Sequence, residues 1–169
     1  MAPSRTRHVT EHPVTAPEVD SIELAGHRRP RLVVGVDGSY GSHLALMWTA
    51  AQARERNAIL DIVAVWEELS PPASRPAPPD GRLNVARERL EHALTALADR
   101  RTLPEHVITP PLHGPPGEQL VARAQGAELL LLDTAGISSP EIPGGIGPYC
   151  LRHSTTPVVF VPAPHPGAS

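Results

Sequence analysis

Short apolar runs alternating with helix-period segments predict an α/β protein: a doubly wound, five-stranded parallel sheet with helices on both faces and strand order 3-2-1-4-5. Three observations carry this. Leu32–Val36, Ile62–Val65 and Leu129–Leu132 lack polar alternation, as strands buried on both faces do. The segments between them repeat apolar residues at i, i+3, i+4 and i+7, one face of a helix. Strands separated by helices run parallel and join by right-handed crossovers.

The elements follow in order. Arg31 opens the first strand, and Asp37-Gly38-Ser39-Tyr40-Gly41 makes the turn after it. Ser42 reads as the N-cap of a helix to Arg56, with Leu44, Met47, Trp48 and Ala51 as its buried face. Ile59–Trp66 is the second strand, and the proline-rich run 70–79 is a loop. A helix from Asp80 to about Arg100 buries Leu83, Ala86, Leu90, Ala93, Leu94 and Leu97. His106–His113 is a weaker third strand, and Pro110-Pro111 confines it to a sheet edge. A helix opened by Pro115-Pro116 runs to Gln125, and Glu128–Asp133 is the fourth strand. A short helix starts at Pro148, and Pro157–Val161 is the last strand.

Composition narrows the function classes. The 15 basic residues of this 169-residue chain are all arginine, so chemistry that needs an amine, from a P-loop lysine to a Schiff base, is excluded. A formal charge of −3 gives no basic face for nucleic acid. One cysteine, Cys150, makes no internal disulfide and leaves no thiol cluster for zinc. No apolar run reaches the roughly 20 residues of a membrane span, and the N-terminus lacks a signal-peptide core. The expectation is a cytoplasmic protein with a disordered extension over 1–30, one domain over 31–162 and a flexible tail over 163–169. His8 and His12 stand at i, i+4 spacing in that extension, which chance accounts for.

Three segments together resemble the universal stress protein family. They are Val33-Val34-Gly35-Val36-Asp37-Gly38-Ser39 before an alanine-rich helix; His113-Gly114-Pro115 leading on to Gly126-Ala127-Glu128-Leu129-Leu130-Leu131-Leu132; and the close His153-Ser154-Thr155-Thr156-Pro157-Val158-Val159-Phe160-Val161. The resemblance implies an adenine nucleotide alpha hydrolase-like fold and, in many members, ATP held where strand order reverses. It places Asp37 at the adenosine end of the ligand and the Val65 backbone beside it. It also implies a homodimer through the edge strand Pro157–Val161. The family's phosphate loop, G-x2-G-x9-G-[ST], is degenerate here. Asp133 stands at the first glycine, Gly136 at the second, Gly144 at the third and Gly145 at the hydroxyl position, with two residues fewer between the last glycines.

These departures have a sign. At about 5 Å and an effective dielectric near 20, Asp133 repels a phosphate charge by roughly 3 kcal/mol before screening, unless Mg²⁺ bridges the two. A lost serine hydroxyl removes a further hydrogen bond of about 1–2 kcal/mol. Plainer roles stand beside these: Asp37 capping its own turn, Asp133 bonding a loop, His113 and His153 facing solvent, and Cys150 as an inert buried thiol. Trp66 either lines or plugs the crevice. Ser39 lacks the first glycine of a nucleophile elbow, and Gly35, Gly38 and Gly41 do not form a dinucleotide fingerprint. The reading is a non-enzymatic regulatory module that binds an adenine nucleotide weakly or not at all. Its alternatives are an Mg-ATP hydrolase or transferase using Asp37 and Asp133, and a protein-interaction domain with a closed crevice.

Overall fold

The computed structural model describes residues 29–67, 80–134 and 145–163. Of the extension expected over 1–30, all but Arg29 and Pro30 lies outside them, His8 and His12 included, as do the proline-rich loop and all but the start of the C-terminal tail. The elements are β1 (Arg31–Gly35), α1 (Tyr40–Glu55), β2 (Ile59–Trp66), α2 (Asp80–Asp99), β3 (His106–Ile108), β4 (Pro111–His113), α3 (Pro116–Ala124), β5 (Leu129–Asp133), α4 (Ile146–His153) and β6 (Val158–Val161). All strand pairs are parallel, in the order β3-β2-β1-β5-β6, with β4 also on β2. This is the expected sheet with its third strand divided. Thr109-Pro110 separates β3 from β4, and the proline has no N–H to give the ladder.

Strand alternation divides the core in two. Leu32, Val34, Leu60, Ile62, Ala64 and Leu131 face α1 and α2, whereas Val33, Val63, Leu130 and Leu132 face α3 and α4. Among the described residues no helix is long and apolar enough to cross a membrane.

Two helix starts differ from the sequence reading. α1 is capped by Ser39, not Ser42: Ser39 is extended (φ −74°, ψ 162°) and its hydroxyl accepts the Ser42 N–H at 3.1 Å. Ser42 lies within the first turn and is buried, and its own hydroxyl donates to the Ser39 carbonyl. The buried face is accordingly Ser42, Ala45, Leu46, Thr49, Ala50 and Ala53, and Trp48, expected in the core, is 41% exposed. Small side chains let α1 lie close to the sheet, and Thr49 satisfies its buried hydroxyl on the Ala45 carbonyl. α4 begins at Ile146 rather than Pro148, with Gly145 as its cap. Pro148 is accommodated in the first turn, where its missing N–H would have no helical acceptor.

A charge is sealed near the amino ends of the strands of this apolar sheet. Asp61 of β2 has a fully buried side chain that accepts from Arg31 Nη1 (2.9 Å), Arg123 Nε (2.7 Å) and Arg123 Nη2 (3.3 Å). Arg31 also donates to the Arg123 and Gln125 carbonyls, and Thr156 Oγ1 donates to that of Ala124. The C-terminus of α3, where carbonyls lack helical partners and the dipole favours cations, is thereby tied to the first residue of β1. Removing one partner from a buried ion pair costs about 3–5 kcal/mol, because the remaining charges lose compensation. Asp61→Ala is therefore expected to lower the urea unfolding free energy by about that amount. A change below about 1 kcal/mol would mean that the arginines find water instead.

Candidate functional site

In an open parallel sheet the ligand crevice lies beyond the carboxyl ends of the strands, where the order reverses. Here the order reverses at β1, which has β2 on one side and β5 on the other, so the crevice opens beyond the carboxyl end of β1. β1 ends early. Its ladder with β2 closes at Gly35 opposite Val63, with the Val36 N–H donating to the Val63 carbonyl at 2.8 Å. β2 continues to Trp66 on the strength of β4 alone, through Ala64–Pro111, Val65–Leu112 and Trp66–His113. Peptide groups alternate sides along a strand, so Val65 turns its N–H and C=O the same way as Val63, towards β1, where β1 has stopped. β2 thus presents one peptide edge, donor and acceptor together, to a notch beside Asp37.

Asp37 stands at the rim of that notch, exposed, and shapes its own turn. Its Oδ1 accepts the Ser39 N–H at 2.8 Å, and its N–H donates to Ser42 Oγ at 3.4 Å. Burial pushes its pKa up, but hydrogen bonds from the Ser39 hydroxyl and backbone, and then from Ser42, outweigh this and hold it below the ordinary carboxylate value. The capping role and a ligand role are compatible, since the turn fixes the carboxylate in its ionised form.

Asp133, at the end of β5, faces α1. Its Cβ and Cγ lie 3.1 Å from where a β-carbon on Gly41 would stand, and its Oδ2 lies closer still. Only glycine fits in that turn of α1. The helix has no acidic residue of its own in its first turn, so Asp133 supplies the negative charge its N-terminus favours. Of the loop positions, Gly145 is the α4 cap, without a side-chain hydrogen bond, while Gly136 and Gly144 lie outside the described residues. Ile146 and Gly147 belong to the first turn of α4 instead of preceding it.

The remaining candidates take plain roles. Trp66 packs against the α1/α2 core and against the His113 ring, centroids 4.2 Å apart and tilted by 37°. His153 stacks on Tyr149 at 4.1 Å and meets the Tyr149 carbonyl. Cys150 is buried, and burial pushes its thiol up to about 11, as an inert core cysteine requires. Among the described residues no three His, Cys, Asp or Glu side chains gather to hold a metal.

Two neighbours of the notch are not flagged by motif. Gly41 reads as one of several glycines in a turn, and its signal is its place one residue inside a helix. Arg89 of α2 lies along Gly38, its Cγ and Nε each 3.7 Å from where a β-carbon there would stand. Its signal is the absence of any acid at i±3 or i±4: those positions hold Val85, Ala86, His92 and Ala93.

Comparison with known proteins agrees with this architecture. No curated protein matches the chain. A universal stress protein in complex with cAMP is 25% identical, with a TM-score of 0.59 over 79% of this chain and 96% of that one. The universal stress protein UspA from Lactobacillus plantarum is 20% identical (TM-score 0.56; 80% and 99% covered). A universal stress protein from Archaeoglobus fulgidus in complex with dAMP is 19% identical (TM-score 0.59; 79% and 97% covered). The model of the universal stress protein family matches residues 29–162, and the chain belongs to that family.

Proposed function

We propose that this chain is a cytoplasmic, non-catalytic regulatory module that holds the adenosine part of an adenine nucleotide in the notch between β1 and β2, and that it favours mononucleotides over ATP. The observation that carries the reading is the overrun of β2: the Val65 peptide edge faces a gap rimmed by the ionised Asp37. A peptide N–H and C=O side by side match the donor and acceptor of an adenine edge, and a carboxylate accepts from ribose hydroxyls. The similar structure that holds cAMP and the one that holds dAMP support a ligand with one phosphate. Asp133 supports the preference over ATP, because its charge already occupies the first turn of α1. The same carboxylate is the candidate Mg²⁺ ligand, should a cation accompany a longer phosphate chain. A binding role also fits the polar groups present, since the Ser39 hydroxyl is committed to its helix cap and Cys150 to the core.

Thermal unfolding with added adenosine, AMP, cyclic AMP and ATP tests this. At a hundred times Kd a ligand stabilises by about 2.7 kcal/mol, and adenosine and AMP are expected to raise Tm in the wild type. Asp37→Ala should abolish the adenosine shift. A depressed carboxylate pKa keeps Asp37 charged as pH falls, so adenosine affinity should stay level from pH 8 to 5 and drop only below the ordinary carboxylate range. No shift with any of the four ligands would contradict the reading.

Asp133 separates repulsion from metal binding. Asp133→Gly is expected to tighten ATP binding about tenfold in titration calorimetry after allowance for screening. Weaker Mg-ATP binding in that variant would make Asp133 a metal ligand instead.

We also propose a homodimer through residues Pro157–Val161. β6 ends the sheet, and its four residues Val158, Val159, Phe160 and Val161 are only half-buried, an open edge that another strand would cover. Sedimentation should give a dimer that Val159→Lys converts to monomer, whereas a wild-type monomer at micromolar concentration would refute it.

A further inference from the structure

We infer that Arg89 is the cation that receives the phosphate of the bound mononucleotide, which makes it the residue that distinguishes a nucleotide from a nucleoside. The inference rests on the adenosine site proposed above. Arginine is this chain's only permanent cation, so any fixed positive charge at the crevice must come from one of 15 side chains. Most described arginines are already committed or face solvent. Arg31 and Arg123 hold Asp61, Arg56 holds Glu128, and Arg82 caps the Glu67 carbonyl. Arg54, Arg87 and Arg152 are exposed, as are Arg100 and Arg101.

Arg89 differs from both groups. It is half-buried, yet no hydrogen bond or ion pair to its guanidinium occurs among the described residues, and no acid stands one helical turn away on either side. A cation with no protein partner is free to take an incoming anion. Its position gives it an anion to meet. The stem runs along Gly38, the residue after Asp37, and Gly38 has φ +86°, where a side chain is disfavoured, so the space Arg89 uses stays clear. α2 packs over β2, whereas Asp133 ends β5 on the far side of β1. The attractive and repulsive charges therefore flank the notch from opposite sides. The planar guanidinium fork binds two phosphate oxygens at once, which a lysine ammonium cannot do.

Titration calorimetry with adenosine, AMP and cyclic AMP as probes, on the full chain, tests the assignment. The wild type is expected to bind AMP or cyclic AMP more tightly than adenosine. Arg89→Gln should remove that preference, weakening the preferred nucleotide about ten- to hundredfold while adenosine affinity changes less than twofold. Arg89→Lys should restore part of the gain, and raising salt should shrink it in the wild type. Equal losses for adenosine and nucleotide in Arg89→Gln, or no loss for either, would overturn the inference and leave the adenosine site standing, as would a wild type that binds the nucleotides no more tightly than adenosine. Absence of binding by all three probes would overturn both.

Discussion

The buried carboxylate of Asp61 sets the frame for the rest of the molecule. Arg31 opens β1 opposite Ile59, and its guanidinium reaches two residues along β2 to Asp61 while also closing the end of α3. A strand slipped by one residue would turn its whole apolar set to the other face and carry Arg31 away from its partner. The charge cluster thus fixes the register at the amino ends of the strands. With that end fixed, the difference in length between five-residue β1 and eight-residue β2 appears entirely at the carboxyl end. The notch beside Asp37 is that difference. An ion pair at one end of the sheet thereby locates the overrun of β2 at the other.

Much of the fold was legible in the sequence because its signals are local. The three apolar runs had no solvent-facing positions, which left only buried parallel strands, and α2 kept its 3.6 period over Ala86, Leu90, Ala93 and Leu97. α1 was harder. Its apolar residues Leu44, Met47, Trp48 and Ala51 suggested one face, yet the helix buries Leu46 with the small Ser42, Ala45, Thr49, Ala50 and Ala53, because closeness to the sheet, and not hydrophobicity alone, decides which side fits. That closeness depends on contacts far apart in the chain, such as Asp133 against Gly41, which no helix-period pattern encodes. Asp61 could have been noticed as the single acid in an apolar strand, but its partners sit 30 and 62 residues away.

The candidate site was legible only through the family resemblance, which pointed to Asp37 and Val65; the strand ends put Asp37 just past β1 and Val65 next to last in β2. Asp133 read as a departure from a phosphate loop, and geometry gives it a further role as the charge at the α1 N-terminus. Arg89 could not be singled out by any motif, since what distinguishes it is a missing partner combined with partial burial. The proposed adenine-nucleotide site would combine the Asp37 carboxylate, the Val65 peptide edge and Arg89 on the α2 side, with the Asp133 carboxylate on the β5 side.

The central claim is that the Val65 peptide edge recognises the base. Amide spectra of isotopically labelled protein recorded during an adenosine titration address it directly. The account requires the Val65 N–H to move furthest, downfield as it gains an acceptor, with Asp37 and Gly38 following and β6 unmoved. Shifts confined to β6 or to the outer face of α1, with Val65 stationary at saturation, would contradict it.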